Sequence, residues 1–136
     1  MTAPAAIRRT GLSDLQHGPL PGRMVTLDVG RCGVSETCLD PDDPIFAFHF
    51  PEWPVLPGSF VLRTALATAA IVEGAGAWRL GGIERLTYRR GARPGDDLRI
   101  AVKRTAGTGC SYSFVATSGG ARIGDGEFRI LPGFTS

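Results

Sequence analysis

The chain has 136 residues, 43% of them hydrophobic and 21% charged, with a formal net charge of +2. That is one domain's worth of sequence with enough apolar material for one core, and neither a disordered nor a membrane-spanning composition. No apolar run reaches the roughly 18 residues of a spanning helix, and so small a net charge gives no reason to expect nucleic acid as partner.

Residues 1–22 lack an apolar core of signal-peptide length and read as a lead-in, not a targeting segment, before one domain over 23–136. The stretch RMVTLDVGR (23–31) has the β-branched content of a strand. CLDPDDP (38–44) is turn chemistry, in which Asp and Pro pre-set bends. IFAFHF (45–50) is a short aromatic-rich extended piece, and PEWPVLPG (51–58) is irregular because its prolines fix φ and remove donors.

From Ser59 to Glu73 the pattern changes to SFVLRTALATAAIVE, with no Pro or Gly. This predicts a helix that is apolar nearly all round and therefore buried. Ser59, Arg63, Thr64 and Thr68 form its one narrow polar strip. GAGAW (74–78) stops it. Strands follow at 81–90, 98–104, 110–118 and 119–130, joined by Gly-rich turns. The run 98–104 is the cleanest period-two segment, with Leu98, Ile100 and Val102 on one face. Strands wrapped on one helix make an α+β fold.

Cys32, Cys38 and Cys110 include no Cys-x-x-Cys pair, and no histidine cluster accompanies them. A zinc site is not expected, and a reduced, cytoplasmic setting is the simplest account. Arg79, Arg85, Arg89, Arg90 and Arg93 crowd one short region, either as a solvated strand face or as a docking patch for an acidic partner.

The chemistry concentrates in HFPEWPVLPGSF, residues 49–60. Gly58 stands where the helix begins and lets another group approach its backbone N–H. Free amides and the helix dipole there favour negative charge, such as an oxygen growing on a thioester carbonyl. The same Pro-Gly step also serves as a simple helix-start device. His49, flanked by Phe48 and Phe50, has the side chain of a general base near neutral pH.

HFPEWPVLPG resembles the His-Phe-Pro-x-x-Pro-Val-x-Pro-Gly signature of hot-dog-fold 3-hydroxyacyl-[acyl-carrier-protein] dehydratases of the FabZ/FabA kind. The likeness continues through IERLTYRRGARPGDDLRIAV (83–102) and FVATSGGARIGDGEFRI (114–130), so it runs from about residue 23 to 130. It implies an antiparallel sheet wrapped around one long central helix, and a dimer with composite sites. It also implies an acyl chain delivered on the phosphopantetheine of an acyl carrier protein, with no cofactor or metal of the chain's own. In that scheme His49 takes the C2 proton, and the Gly58 N–H binds the thioester carbonyl. Phe50, Pro57, Ser59 and Phe60 line the substrate's path, and Arg85, Arg89, Arg90 and Arg93 lie near the tunnel mouth where the carrier docks.

Counting from the histidine, the acid that protonates the leaving hydroxyl in the family falls on Arg63. A guanidinium has no proton to give near neutral pH. Glu73, the next acid along the helix, stands nearly three turns away by the roughly 3.6-residue repeat. Three readings stay open. The chain supplies His49 to a site whose acid comes from a homologous partner subunit. Or it is a self-sufficient enoyl-thioester isomerase or related thioester enzyme, with Arg63 stabilising an enolate. Or it is a non-catalytic, carrier-binding scaffold.

Overall fold

The computed structural model describes residues 22–42, 58–74, 78–106 and 110–132. The described residues form six strands and one helix: β1 (Arg23–Asp28), β2 (Cys32–Cys38), α1 (Gly58–Glu73), β3 (Trp78–Tyr88), β4 (Asp97–Arg104), β5 (Cys110–Ser118) and β6 (Ala121–Pro132). All pairings are antiparallel, in the order β1-β2-β4-β5-β6-β3. The helix packs on one face of this sheet. This is the hot-dog arrangement that the resemblance implies.

Period-two alternation places the inner faces of the last strands as the sequence predicts. Leu98, Ile100 and Val102 of β4, Tyr112, Phe114 and Ala116 of β5, and Phe128 and Ile130 of β6 are all buried. Tyr112 and Phe128 stack at 6.3 Å, and Phe114 tilts against Phe128 at 5.8 Å. Each Leu, Ile, Val or Phe among them contributes about 1.5–3 kcal/mol relative to exposure. Gly119 and Gly120, at φ 60° and 86°, form the two-residue turn between β5 and β6. Two successive left-handed residues match the twist of a tight hairpin, and glycine adopts them without strain.

Val61, Ala65, Ala69 and Val72 form the stripe of α1 that meets the sheet, each at most 1% exposed. The helix is not buried all round. Leu62, Leu66, Ala67 and Ala70 are only half-buried, and Arg63 is exposed. The expected polar strip also divides. Thr64 and Thr68 are fully buried, because each hydroxyl bonds the carbonyl four residues back: Thr64 to Phe60 at 2.9 Å, Thr68 to Thr64 at 2.7 Å. Arg63 has no such option and stays outside. Thr68 also meets the Ser35 hydroxyl of β2 at 2.8 Å, tying helix to sheet.

Element boundaries differ from expectation, most at two places. The segment 23–31 is a strand only to Asp28, and a further strand, β2, occupies Cys32–Cys38 before the expected turn. Strand β3 begins at Trp78, inside the segment expected only to stop the helix. Cys32, Cys38 and Cys110 are all free thiols.

At the far end of α1, Glu73 accepts a hydrogen bond from Tyr112 at 2.5 Å and an ion pair from Arg104 at 3.1 Å. A carboxylate is unfavourable at a helix C-terminus. These two partners, from β5 and β4, compensate it and pin the helix end to the sheet.

Candidate active site

The helix start carries the site. Gly58 is the first residue of α1, and first-turn amides of an α-helix lack intrahelical acceptors. The ring of Tyr88, the last residue of β3, lies directly against Gly58. A Cβ at position 58 would stand 2.6 Å from that ring. The Tyr88 hydroxyl donates to the Gly58 carbonyl. Burial pushes the Tyr88 phenol above its ordinary value, with a backbone hydrogen bond at Leu62 pulling the other way. The phenol is therefore a standing donor at neutral pH.

Phe60 and Arg63 follow on the first two turns, with the Arg63 guanidinium carbon 5.9 Å from the Phe60 ring centre. That is within cation–π range. Arg63 also borders a cleft of about 490 Å³ between the outer face of α1 and the start of β3. Leu62, Leu66, Trp78, Arg79 and Leu80 are among its walls. Among the described residues its lining is mainly apolar, with guanidinium groups on Arg63 and Arg79.

His49, Phe50 and Pro57 lie outside the described residues, and of Ser59 only the backbone is described. The structure thus brings together Gly58, Phe60 and Arg63 and adds Tyr88. Sequence reasoning missed Tyr88 as a site residue. The available signal was a tyrosine, with its polar tip, in a strand otherwise read for apolar positions.

The arginine cluster is not uniform. Arg85 donates to Asp125 and lies 3.8 Å from Glu127, so it is paired within the sheet. Hydrogen bonds from Arg85 chiefly, and from Arg122 at 2.9 Å, hold the Asp125 carboxyl below its usual range. Arg89, Arg90 and Arg93 are exposed, and among the described residues no carboxylate pairs with them. Among the described residues no group of three His, Cys, Asp or Glu side chains is placed to hold a metal ion.

Residues 30–126 match the ApeI-like family model, described as ApeI dehydratase. The chain belongs to the ApeI-like dehydratase family. The matched stretch contains Gly58, Phe60, Arg63, Tyr88 and the whole arginine cluster. Among curated relatives it is similar to the 3-hydroxyacyl-[acyl-carrier-protein] dehydratase FabZ of Pelotomaculum thermopropionicum, at 34% identity over 90 residues. That match covers 62% of this chain and 64% of the relative, less than two thirds of its length. It is also similar to FabZ of Roseiflexus sp. (strain RS-1), at 30% identity over 119 residues, covering 79% of this chain and 81% of that one. Among solved structures, the dehydratase heterocomplex ApeI:P from Xenorhabdus doucetiae superposes with a TM-score of 0.67 at 19% identity, covering 82% of this chain and 97% of that one. At that identity the likeness establishes the fold.

Proposed function

We propose that this chain is one half of a composite dehydratase active site for carrier-bound 3-hydroxyacyl thioesters. His49 removes the C2 proton. The Gly58 amide binds the thioester carbonyl as its oxygen gains charge. The acid that protonates the departing hydroxyl comes from the helix of a homologous hot-dog subunit. The observation that carries this reading is Arg63, an exposed guanidinium on the second turn of α1, where the family resemblance calls for a carboxylate.

Four further features support the reading. Among the described residues strand β3 is one of the two edges of the sheet, and its Ile83 and Leu86 are 45% and 36% exposed. An open edge with apolar side chains is a surface a second subunit covers. The name of the Xenorhabdus neighbour describes a dehydratase heterocomplex. Arg89, Arg90 and Arg93 offer positive charge to an acidic acyl carrier protein, which brings the substrate on its phosphopantetheine arm past Phe50, Pro57, Ser59 and Phe60. Free Cys32, Cys38 and Cys110 suit a cytoplasmic pathway of fatty-acid or polyketide type.

Conversion of a 3-hydroxyacyl carrier to the enoyl carrier, followed by mass spectrometry, tests the assignment. His49→Ala should cost about 10²–10⁴-fold, the range for a positioned base. Unchanged turnover in that variant would remove the mechanism.

A further inference from the structure

Tyr88 occupies a notch cut by two glycines. Its ring lies where a Cβ on Gly58 would stand 2.6 Å away and a Cβ on Gly124 would stand 2.8 Å away. One glycine opens the helix and the other lies on β6, beside Tyr88 in register. Neither position admits a side chain while the ring is in place, and at Gly124 the Thr87 carbonyl, also 2.8 Å from the Cβ position, crowds it as well. The hydroxyl at the tip donates to the Gly58 carbonyl.

That carbonyl and the Ser59 N–H are the two ends of one planar, conjugated peptide group. Donation to the oxygen draws electron density across the amide and makes the N–H more positive, as in any chain of hydrogen bonds. The Ser59 N–H belongs to the first helical turn, whose amides have no intrahelical acceptor. It is the neighbour of the Gly58 N–H that the proposed mechanism directs at the thioester oxygen.

We propose that Tyr88 is a positioning residue for the oxyanion site: its phenol fixes and polarises the Gly58–Ser59 peptide, so that two adjacent amides, not one, face the thioester carbonyl. The inference rests on the dehydratase reading above, and Tyr88 itself transfers no proton. The raised phenol keeps the hydroxyl a donor throughout the neutral range.

Tyr88→Phe keeps the ring in its notch and removes only the hydroxyl. In 15N-labelled protein the Ser59 amide proton should move upfield. In the assembled enzyme kcat should fall by less than the about 10²–10³-fold cost of a whole oxyanion donor, with KM changed less than about twofold. An unmoved Ser59 resonance, or wild-type kcat in Tyr88→Phe, would reduce Tyr88 to a packing residue and overturn the proposal. A moved resonance in a protein that dehydrates nothing, alone or with a partner, would uphold the peptide coupling and sink the dehydratase reading.

Discussion

Arg85 and Asp125 close an ion pair across the β3–β6 ladder, and the carboxylate is almost wholly buried while the guanidinium is half in water. Arg122 holds the second oxygen of the same carboxylate at 2.9 Å. Arg85 is thus committed within the sheet, whereas Arg89, Arg90 and Arg93, just beyond, face outward. Arg85→Ala should lower the thermal midpoint, because a buried carboxylate loses one of two partners. Calorimetry of the variant checks this, and an unchanged midpoint would make the pair ornamental.

Charge reversal at Arg89 and Arg90 should act on encounter, not on stability. Exposed charges steer a charged partner over roughly a Debye length, about 8 Å at physiological salt. Reaction with a carrier-bound substrate should slow and lose its salt dependence, while reaction with a short thioester mimic stays near wild type. Equal losses on both substrates would remove carrier docking from this patch.

Acid should weaken the fold through the same carboxylates. Hydrogen bonds from Arg85 hold Asp125 below the ordinary 3.8, and hydrogen bonds from Arg99 and Arg23 hold Glu36 below the ordinary 4.5. A depressed folded-state value means that the unfolded chain takes up protons first as pH falls. Their stabilisation is complete above about pH 5, and is lost as pH drops through the ordinary values toward the lowered ones. Denaturant midpoints between pH 2 and 6 should show this loss, and Asp125→Asn should flatten it.

Alkali should attack the other end of the helix. Burial, and then the Glu73 carboxylate, raise the Tyr112 phenol above the ordinary 10. A raised value in the folded state gives stability that is complete below pH 10 and declines as pH climbs beyond it, because the unfolded chain ionises first. Tyr112→Phe should cost about 1.5–3 kcal/mol at neutral pH, the range for a hydrogen bond to a charged group. It should also remove this alkaline decline, which chemical denaturation from pH 8 to 11 would reveal.

The helix and the last three strands are legible in the sequence for plain reasons. Residues 59–73 contain no breaker, β4 and β5 alternate cleanly between Gly-rich turns, and β6 alternates over its second half, where Phe128 and Ile130 face inward. Strand β2 is hidden because its inward residues are Gly33, Ser35 and Thr37. They are small where the helix comes close: a Cβ on Gly33 would stand 2.9 Å from Val72, and Ser35 bonds Thr68. Hydropathy cannot mark a strand whose buried face is made of Gly, Ser and Thr. Tyr88 escaped for another reason, since its partners Gly58 and Gly124 lie 30 and 36 positions away in the chain. The motif around His49 and Gly58 was legible as a pattern, and Arg63 as its departure.

Arg63→Glu should supply the missing acid on the exposed turn of α1. In the isolated chain it should produce weak dehydration where the unmodified chain has almost none. Turnover no better than that of Arg63→Gln would show that a carboxylate at this position does not complete the site.

If this chain holds one half of a dehydratase site, turnover needs the helix of a second subunit. The most direct measurement is turnover of a 3-hydroxyacyl carrier by the purified chain alone, and by the chain assembled with a homologous hot-dog subunit bearing Asp or Glu at the corresponding helix position. A half-site predicts near silence alone and brisk dehydration in the pair, with Arg63→Ala mild in the pair. An isolated chain that turns over briskly and loses about 2.7–4 kcal/mol of transition-state stabilisation on Arg63→Ala, the scale of an oxyanion donor, would contradict it.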